Sequence, residues 1–428
     1  MRLAIIQQRY TPQGGAERFV EGALEALLER NVAITLYTRE WPQTKLQLIE
    51  PHICDPAYRG ALWRDWGFAR AVSRDIGKAR ANLVQSHERL LCCDIYRPEN
   101  GLHATWLEER LKDASAALRL RVAIDPWHRY TLRMERQLFA SSWLRAVLCN
   151  SKMVRDDIKA RYGLPDERLP VLYNAVDPDV FSPALREHRQ RIRAKYRIPD
   201  DAVVFLLVGS GFTRNGVPAA LAALAALPAD AHLVVIGDDR GLEATKQHAR
   251  VLDVRTRVTL LPASTDVAPF YGAADAFVLP AIYDSFPDAA MEAMASGLPV
   301  VTSTRSGAAE LVTEHDAGFV CDARDVAALT GHMQSLLDPD TRAHLGANAR
   351  AGVLPLSPSA MTLKLVLLYK ELLEASVAHK TAARGAAAAA ATTPVEAPPL
   401  HGEDGLDSET LHPHDLPAAR PSSKPPSR

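Results

Sequence analysis

Short apolar runs alternate with longer amphipathic stretches along most of the chain. In the first part, residues 3–8, 32–38, 83–86 and 146–149 have the length and composition of buried strands. Residues 16–30 carry apolar side chains at helical spacing and lie between the first two runs. The pattern therefore opens as strand, glycine turn, helix and strand. A further helix is predicted from Lys152, with Ser151 as its N-terminal cap, because a serine hydroxyl can accept from the free N–H groups there.

A second series of the same kind starts after residue 200. The predicted strands are 202–208, 232–236, 258–261, 276–279 and 300–302, with a helix over 219–227. Strands that alternate with helices indicate parallel sheets, whose ligands bind beyond the carboxyl ends of the strands. We therefore predict an α/β fold of two Rossmann-like domains with their sheets facing a central cleft.

Breaks in this pattern predict the domain limits. Residues 172–183 are turn-rich and aperiodic, so we expect one domain at 1–182 and a second at 183–357. A last helix, 358–378, is expected to pack back on the first domain. Residues 379–428 are rich in alanine and proline and are predicted to be a disordered tail, because they hold too little apolar surface to offset the entropy of ordering.

Composition restricts the function classes. Fifty basic and 51 acidic residues leave a formal charge of −1, which does not favour a nucleic-acid partner. The five cysteines are scattered and form no zinc-type spacing, which is typical of reduced thiols in a cytoplasmic protein. No uninterrupted apolar run approaches the roughly 18 residues of a membrane span. We expect a cytoplasmic protein.

The richest cluster of candidate chemistry is the stretch between Asp284 and Glu292. A loop follows the strand 276–279, and Asp288 is predicted to cap the helix that comes next. The N–H groups of residues 289–291 (Ala289, Ala290 and Met291) would then form an anion site at the positive end of that helix. Asp284 and Glu292 would flank this site. Two acids near an ordinary capped helix are the alternative interpretation.

Two glycine-containing loops are weaker signals. Gly209-Ser-Gly-Phe-Thr-Arg214-Asn215 follows a strand, and Arg214 could hold a diphosphate in a forked geometry. Gly14 and Gly15 follow the first strand and could approach the same diphosphate from across the cleft. A plain turn between a strand and a helix is the alternative for each loop, and for residues 209–215 it is the favoured one. Neither contains the Gly-x-Gly-x-x-Gly of a nicotinamide dinucleotide site, which disfavours an oxidoreductase.

Taken together, these collinear segments resemble the retaining GT-B glycosyltransferases of family four, over roughly residues 1–378. The region 284–292 is similar to the E-x(7)-E segment of that family, and the stretch 94–106 is similar to lipopolysaccharide-core sugar transferases. The resemblance implies a GT-B fold, with an acceptor domain followed by a donor domain. It also implies transfer of a hexose-type sugar from a nucleoside diphosphate donor to a glycan or glycolipid hydroxyl, with no metal or other cofactor.

The same resemblance assigns roles to residues. Glu292 would bind the ribose, Arg214 and the backbone of residues 289–291 the diphosphate, and Asp284 the donor sugar. His103 would lie near the anomeric carbon, with a structural histidine as the alternative, and His87 is a weaker competitor for the same role.

Two departures from the family pattern matter. The first acid is Asp284 rather than glutamate, and Asn215 stands where the family has lysine. A lost donor to the leaving phosphate can slow catalysis by about 10²–10³-fold. Arg9, Arg18, Arg240 and Arg305 are candidate replacements for the missing cation. A catalytically weakened protein that binds sugar nucleotide or glycan is therefore the competing hypothesis.

Two further stretches allow two interpretations each. Asp177-Pro-Asp179 imitates a metal-binding D-x-D motif, but its place in the predicted linker favours a turn. Residues 110–136 hold seven basic and three acidic residues, with interleaved apolar positions. They could lie on an anionic membrane surface, or they could form a solvated helical face.

Overall fold

The computed structural model describes residues 2–9, 32–41, 51–79, 81–264 and 266–374, and within them the chain forms two six-stranded sheets. The strand orders are β3-β2-β1-β4-β5-β6 and β12-β11-β10-β7-β8-β9, and every pairing between neighbours is parallel. The two halves thus repeat one doubly wound topology. The first sheet consists of β1 Arg2–Ile6, β2 Ala33–Thr38, β3 Pro51–Ile53, β4 Leu83–Ser86, β5 Ile95–Tyr96 and β6 Ala146–Val147. The second consists of β7 Val203–Val208, β8 Ala231–Ile236, β9 Val258–Leu261, β10 Ala276–Leu279, β11 Val300–Ser303 and β12 Gly318–Cys321.

Helices cover both sheets, as parallel strands require crossover connections. Those of the first half are α1 Gly60–Asp75, α2 His103–Leu111, α3 Ala116–Ile124, α4 Pro126–Phe139 and α5 Lys152–Tyr162. They are followed by α6 Arg189–Tyr196, α7 Val217–Ala225, α8 Leu242–Val251, α9 Ala268–Ala273, α10 Asp288–Ala295, α11 Ala308–Glu314, α12 Val326–Ser335, α13 Pro339–Val353 and α14 358–374.

The chain passes between the two sheets twice. The first crossing leads from β6 and α5 to α6, through the segment 172–183. The second is the turn 354–357, after which α14 returns to the first half. There Leu365 and Tyr369 are buried in the same apolar cluster as Leu3 of β1. The Tyr369 hydroxyl also donates to Oε1 of Gln85 in β4 at 2.6 Å, which fixes α14 against the sheet.

The stretch Pro339–Glu374 is apolar enough, by length and composition alone, to cross a membrane, and a third of its most apolar window is buried. The stretch is broken between α13 and α14, and the inner face of α14 belongs to the core of the first half. Core helices meet the same criterion of length and composition, and α14 packs as one.

The predicted α/β class with two parallel sheets is confirmed, and three strands, 83–86, 258–261 and 276–279, have the predicted bounds. The helix after Ser151 is also confirmed, since the Ser151 hydroxyl accepts from the N–H of Val154. The glycine loop with Gly14 and Gly15, the helix 16–30 and the tail 379–428 lie outside the described residues. The domain limits stay a prediction.

Candidate functional site

Glu292 lies in α10 and is almost completely buried, with 4% of its surface exposed. Its Oε2 accepts a hydrogen bond from the hydroxyl of Tyr271 at 2.7 Å. The same hydroxyl contacts the carbonyl of Ala289 at 3.2 Å, so Tyr271 ties the carboxylate to the first turn of α10. A buried carboxylate is retained only where polar partners compensate for lost hydration. Glu292 is therefore a positioned carboxylate rather than a solvent-facing acid.

The predicted capping role of Asp288 is wrong. The N-cap of α10 is Pro287, and no side chain caps the helix. Asp288 is the first residue of the helix, and its Oδ1 accepts from Nδ2 of Asn174 at 2.7 Å. Asn174 belongs to the segment between the two halves. The Asp288 carboxylate thus bonds to that segment instead of the start of its own helix. A local sequence pattern does not predict this contact, because Asn174 is 114 residues away.

The backbone of residues 289–291 forms the first turn of α10, as predicted, but its amides are not equivalent. The N–H of Ala290 donates to the carbonyl of Pro287 at 3.1 Å and thus belongs to a tight turn. Ala290 and Met291 are buried, whereas Ala289 is partly exposed. The accessible part of this turn is therefore its beginning, next to Asp288.

Arg214 and Asp284 meet at the carboxyl ends of β7 and β10. The Nη2 of Arg214 lies 3.3 Å from Oδ2 of Asp284, and its Nε donates to the carbonyl of Tyr283 at 3.0 Å. Burial raises the pKa of Asp284, and the charge of Arg214 opposes that rise. The loop after β7 and the loop after β10 thus present one cation and one acid side by side.

Asn215, next to Arg214, is turned toward its own loop. The side chain is buried, and its Nδ2 donates to the carbonyl of Ser210 at 2.9 Å. It also fills the space beside Gly209, where an added Cβ would lie 2.4 Å from the Asn215 amide nitrogen. In this arrangement Asn215 shapes the loop. A role in holding the donor stays a prediction.

The loop that carries Asp284 also contacts the first half of the chain. The hydroxyl of Tyr283 accepts from the N–H of Leu102 at 3.1 Å, and Ser285 donates to the carbonyl of Glu99. Asn150 donates to the Ser285 hydroxyl at 3.2 Å. These bonds place the first acid of the 284–292 region directly opposite the N-terminus of α2.

His103, the first residue of α2, lies behind this junction. It is buried, its Nε2 is 3.1 Å from Nδ1 of His128, and its ring packs against Trp106 and Trp127. Burial, with the nearby charge of Arg89 and with His128, lowers the pKa of His103 to about 3. The imidazole is therefore neutral at physiological pH and can act as a polar contact but not as a cation.

Glu135 and Arg89 are residues of this region that the sequence did not single out. The fully buried carboxylate of Glu135 accepts from the N–H groups of His103 at 2.7 Å and Ala104 at 3.2 Å. Arg89 reaches the same carboxylate with its Nε at 3.2 Å. Glu135 thus neutralises the positive end of α2. No local motif marks it, because it comes from the middle of α4.

His87 is fixed in a buried network around the carboxylate of Glu99. Its Nδ1 lies 3.0 Å from Oε1 of Glu99, which also accepts from Nε of Arg97 at 2.7 Å. Burial alone would raise the pKa of Glu99, but Arg97 and His87 outweigh it and lower that pKa. His87 therefore serves the packing of the first half, which favours the structural interpretation of this histidine.

The candidate replacement cations differ in their surroundings. Arg305 is held by Asp157 at 2.9 Å and by Glu109 at 3.2 Å, so its charge is already balanced. Arg9 is exposed and donates to the hydroxyl of Tyr58, while Arg240 is exposed beside the turn after β8. Arg18 lies outside the described residues.

Two groups bear on metal binding. Asp177 accepts from the N–H of Asp179 at 2.9 Å, which is the turn predicted for this D-x-D sequence. The fold also brings a ring nitrogen of His52, the Sγ of Cys54 and a carboxylate oxygen of Asp75 within 4.8 Å of one another. The spacing of these residues in sequence is not that of a zinc motif. Asp75 already contacts Lys78 at 2.6 Å, and this group lies at the edge strand β3, away from Glu292.

Two family descriptions match the two halves of the chain in turn. "Glycosyltransferase Family 4" matches residues 13–180, and "Glycosyl transferases group 1" matches residues 188–352. The chain belongs to the GT-B glycosyltransferases of family four. The predicted family is thereby confirmed. This glycosyltransferase is also similar in fold to the crystal structure of WaaG, with a TM-score of 0.73 and 22% identity over 84% of this chain and 98% of that one.

Two relatives show how far the sequence similarity extends. The glycosyltransferase is 25% identical over 330 residues to the lipopolysaccharide glucosyltransferase WaaG of Escherichia coli, covering 75% of this chain and 85% of WaaG. It is 30% identical over 227 residues to a D-inositol 3-phosphate glycosyltransferase of Xylanimonas cellulosilytica, covering 51% of this chain. That match spans only about half (54%) of the relative's length. Among structures, Anabaena Alr3699/HepE with UDP and glucose has a TM-score of 0.66 at 19% identity, over 87% of this chain and all of that one.

Proposed function

We propose that this protein transfers a hexose-type sugar from a nucleoside diphosphate sugar to a hydroxyl of a glycan or glycolipid, with retention of anomeric configuration and without a metal. Synthesis of a lipopolysaccharide core or another cell-surface glycan is the proposed setting. The observation that carries the proposal is the pairing of a positioned, buried Glu292 on α10 with the Arg214–Asp284 pair at neighbouring strand ends. Similarity to a lipopolysaccharide glucosyltransferase supports the choice of acceptor.

The geometry suggests how each group acts. Glu292 can accept hydrogen bonds from the two ribose hydroxyls, because a carboxylate offers several lone pairs. Arg214 can leave Asp284 for the diphosphate, which would free Asp284 to bind the donor sugar. Arginine suits this place because its planar fork matches phosphate oxygens.

In the proposed retaining step, the acceptor hydroxyl approaches the anomeric carbon from the face that the diphosphate leaves. The bond from the anomeric carbon to the diphosphate oxygen breaks while the bond to the acceptor oxygen forms. The hydroxyl proton passes to the leaving phosphate oxygen. Arg214 balances the charge that develops there, and the neutral imidazole of His103 is a candidate hydrogen-bond partner of the sugar.

A thermal-shift screen of nucleoside diphosphates and their sugars tests the donor site. At least one ligand is expected to raise the melting temperature by mass action, and Glu292→Gln is expected to reduce that rise strongly. Glu187→Gln, an exposed glutamate before α6, is a matched control that should keep the wild-type shift. An undiminished shift in Glu292→Gln would refute the placement of the donor.

A catalytically weakened binder is the second candidate, and Asn215 favours it. Its amide is committed to the Ser210 carbonyl, so this position supplies no cation to the leaving phosphate. Transfer and hydrolysis of nucleotide sugars by the wild type and by Asn215→Lys separate the two. Intact nucleotide binding without turnover of any nucleotide sugar by the wild type would overturn the enzyme proposal.

We also propose that residues 110–136 contact an anionic membrane on the cytoplasmic side, where lipid-linked acceptors would be reached. Leu120 and Ile124 of α3 are 63% and 64% exposed, with Arg121 between them in sequence. Apolar and basic side chains on one short helix suit the interface of an anionic bilayer. Co-sedimentation with phosphatidylglycerol vesicles, but not with phosphatidylcholine vesicles, is the expected result. Leu120→Glu/Ile124→Glu should abolish it.

A further inference from the structure

An aromatic cavity lies on the outer side of α1, away from the strand ends that carry Asp284. Its volume is about 540 Å³. Tyr58, Trp63 and Trp66 line it, and they are 46%, 55% and 43% exposed. The two indoles stand edge to face, with their centroids 5.5 Å apart. Large exposed aromatic side chains that share one concave surface are typical of binding sites rather than of ordinary surface.

Among the described residues that line this cavity, the charged side chains are all basic. They are Arg59, Arg70 and Arg74. The guanidinium carbon of Arg70 lies 5.7 Å from the centre of the Trp66 ring, which keeps the cation next to the aromatic face. Guanidinium groups bind phosphate oxygens in a forked geometry. The cavity therefore suits a ligand that combines flat apolar faces with anionic groups.

The cavity wall is built by local packing. Pro56 lies over Gly67, where an added Cβ would be 3.3 Å from its ring, so the loop before α1 folds back along the helix. The opposite face of α1 is buried through Phe68 and Val72. Trp63 and Trp66 therefore do not serve the core, and their exposure is not required by the fold.

A line of contacts connects the cavity to the carboxyl end of the first sheet. Tyr58 accepts from Nη2 of Arg9, which follows β1, and its ring packs against the guanidinium of Arg39, 4.4 Å from its centre. On the buried side of α1, Asp65 accepts from Nε1 of Trp127 at 2.7 Å, and Trp127 packs on His103. The cavity is therefore next to residues at the carboxyl end of the first sheet.

We infer that this cavity binds phosphorylated sugar residues of the acceptor glycan, remote from the hydroxyl that receives the new sugar. Sugar rings present flat C–H faces that stack on indole rings, and the arginines would hold the phosphate groups. This inference rests on the proposed glycan acceptor. The concave shape of the cavity and its arginines favour a phosphorylated glycan over the flat surface of a bilayer as the ligand.

Isothermal titration of the full chain with core oligosaccharide released from lipopolysaccharide tests the inference. The probe is used as isolated and after removal of phosphate with aqueous hydrogen fluoride. Trp63→Ala/Trp66→Ala is expected to weaken binding of both forms at least tenfold. Arg59→Ala/Arg70→Ala should weaken binding of the phosphorylated form at least tenfold and change that of the dephosphorylated form less than twofold.

Trp143→Ala is the matched control, because Trp143 is 74% exposed on the same half of the chain and does not line the cavity. It should bind both oligosaccharides as the wild type does. Unchanged affinity in the cavity variants, or loss of binding to phosphatidylglycerol vesicles instead of oligosaccharide, would overturn the inference.

Nucleotide binding by the same variants keeps this inference separable from the proposed function. Thermal shifts with nucleoside diphosphates should be unchanged in all of them. Failure of oligosaccharide binding beside intact nucleotide binding overturns the cavity alone. The opposite outcome is also informative. If the wild type binds no nucleotide but binds the oligosaccharide, and the cavity variants lose that binding, the donor site is overturned and the cavity is supported.

Discussion

At the scale of single residues, the two acids of the 284–292 region occupy different environments. Glu292 is fixed inside α10 by Tyr271, whereas Asp284 is paired with Arg214 across two loops. Both carboxylates thus have polar partners, but the hydroxyl that contacts Glu292 is neutral, whereas Asp284 faces a cation. The two acids therefore differ in what donor binding must change around them.

Tyr271→Phe is expected to weaken nucleoside diphosphate binding about two- to tenfold, because it removes a hydrogen bond that orients Glu292 and that is worth about 0.5–1.5 kcal/mol. Titration calorimetry with the diphosphate found in the thermal-shift screen measures this effect. Tyr369→Phe removes a comparable buried hydroxyl far from α10 and should keep the wild-type dissociation constant. Equal affinities in the wild type and Tyr271→Phe would show that Tyr271 only packs.

His103 is expected to make stability depend on pH on the acid side. Its pKa is about 3 in the folded protein and near 6.5 when unfolded, so between these values the unfolded chain binds more protons. Its contribution to the free energy of unfolding is complete above pH 6.5 and is lost as the pH falls toward 3, by up to about 1.4 kcal/mol per pH unit. Urea unfolding at pH 7, 6, 5 and 4 should show a shallower acid-side loss for His103→Gln than for the wild type. If the free energy of unfolding fell equally in both proteins as the pH is lowered, His103 would not be buried in its neutral form.

At the scale of elements, α14 completes the first half although it is the last described helix. Leu365 and Val366 are buried against the cluster that contains Leu3 and Ile5 of β1. The first sheet thus depends on residues more than 350 positions away in sequence. This long-range closure makes α14 part of the first half rather than an appendage.

Leu365→Ala should lower the free energy of unfolding by about 2–5 kcal/mol, since it removes a fully buried side chain and leaves a cavity. Leu367→Ala is the matched control on the same helix, because Leu367 is 49% exposed. Urea titration followed by tryptophan fluorescence measures both. Similar small effects of the two substitutions would mean that α14 does not pack on the sheet in solution.

At the scale of the whole molecule, the two halves are joined across the cleft by the loop after β10. Tyr283 and Ser285 bond to Leu102 and Glu99, and charged pairs such as Arg305–Asp157 add to this contact. The two halves are therefore in direct contact through this loop. The same loop carries Asp284, so this contact between the halves lies next to the proposed donor site.

Tyr283→Phe should weaken the contact between the two halves, because it removes the hydrogen bond to the Leu102 N–H. A bond with a net worth of about 0.5–1.5 kcal/mol shifts the equilibrium between halves in contact and halves apart about two- to tenfold. A larger radius of gyration by small-angle X-ray scattering is the expected result. Tyr369→Phe, whose hydroxyl bond lies within one half, should scatter as the wild type does. An unchanged radius for Tyr283→Phe would show that this bond does not hold the halves together.

The sequence by itself determined the α/β class and many strands of the two sheets, and it pointed to candidate site residues. Buried parallel strands are short continuous apolar runs, so β4, β9 and β10 could be located to the residue. The family pattern also located Glu292 and Arg214, because such motifs are contiguous in sequence. Polar side chains that find distant partners were not predictable: Asp288 pairs with Asn174 instead of capping its helix.

Tertiary structure alone decided how the candidate groups are held. Glu135 reaches the start of α2 from the middle of another helix, and Asn215 turns into its own loop. The tertiary structure also revealed the cavity of Trp63 and Trp66, because the neighbouring elements determine which face of a helix is exposed. Sequence periodicity reports local geometry, whereas hydrogen-bond partners and cavities depend on residues that folding alone brings together.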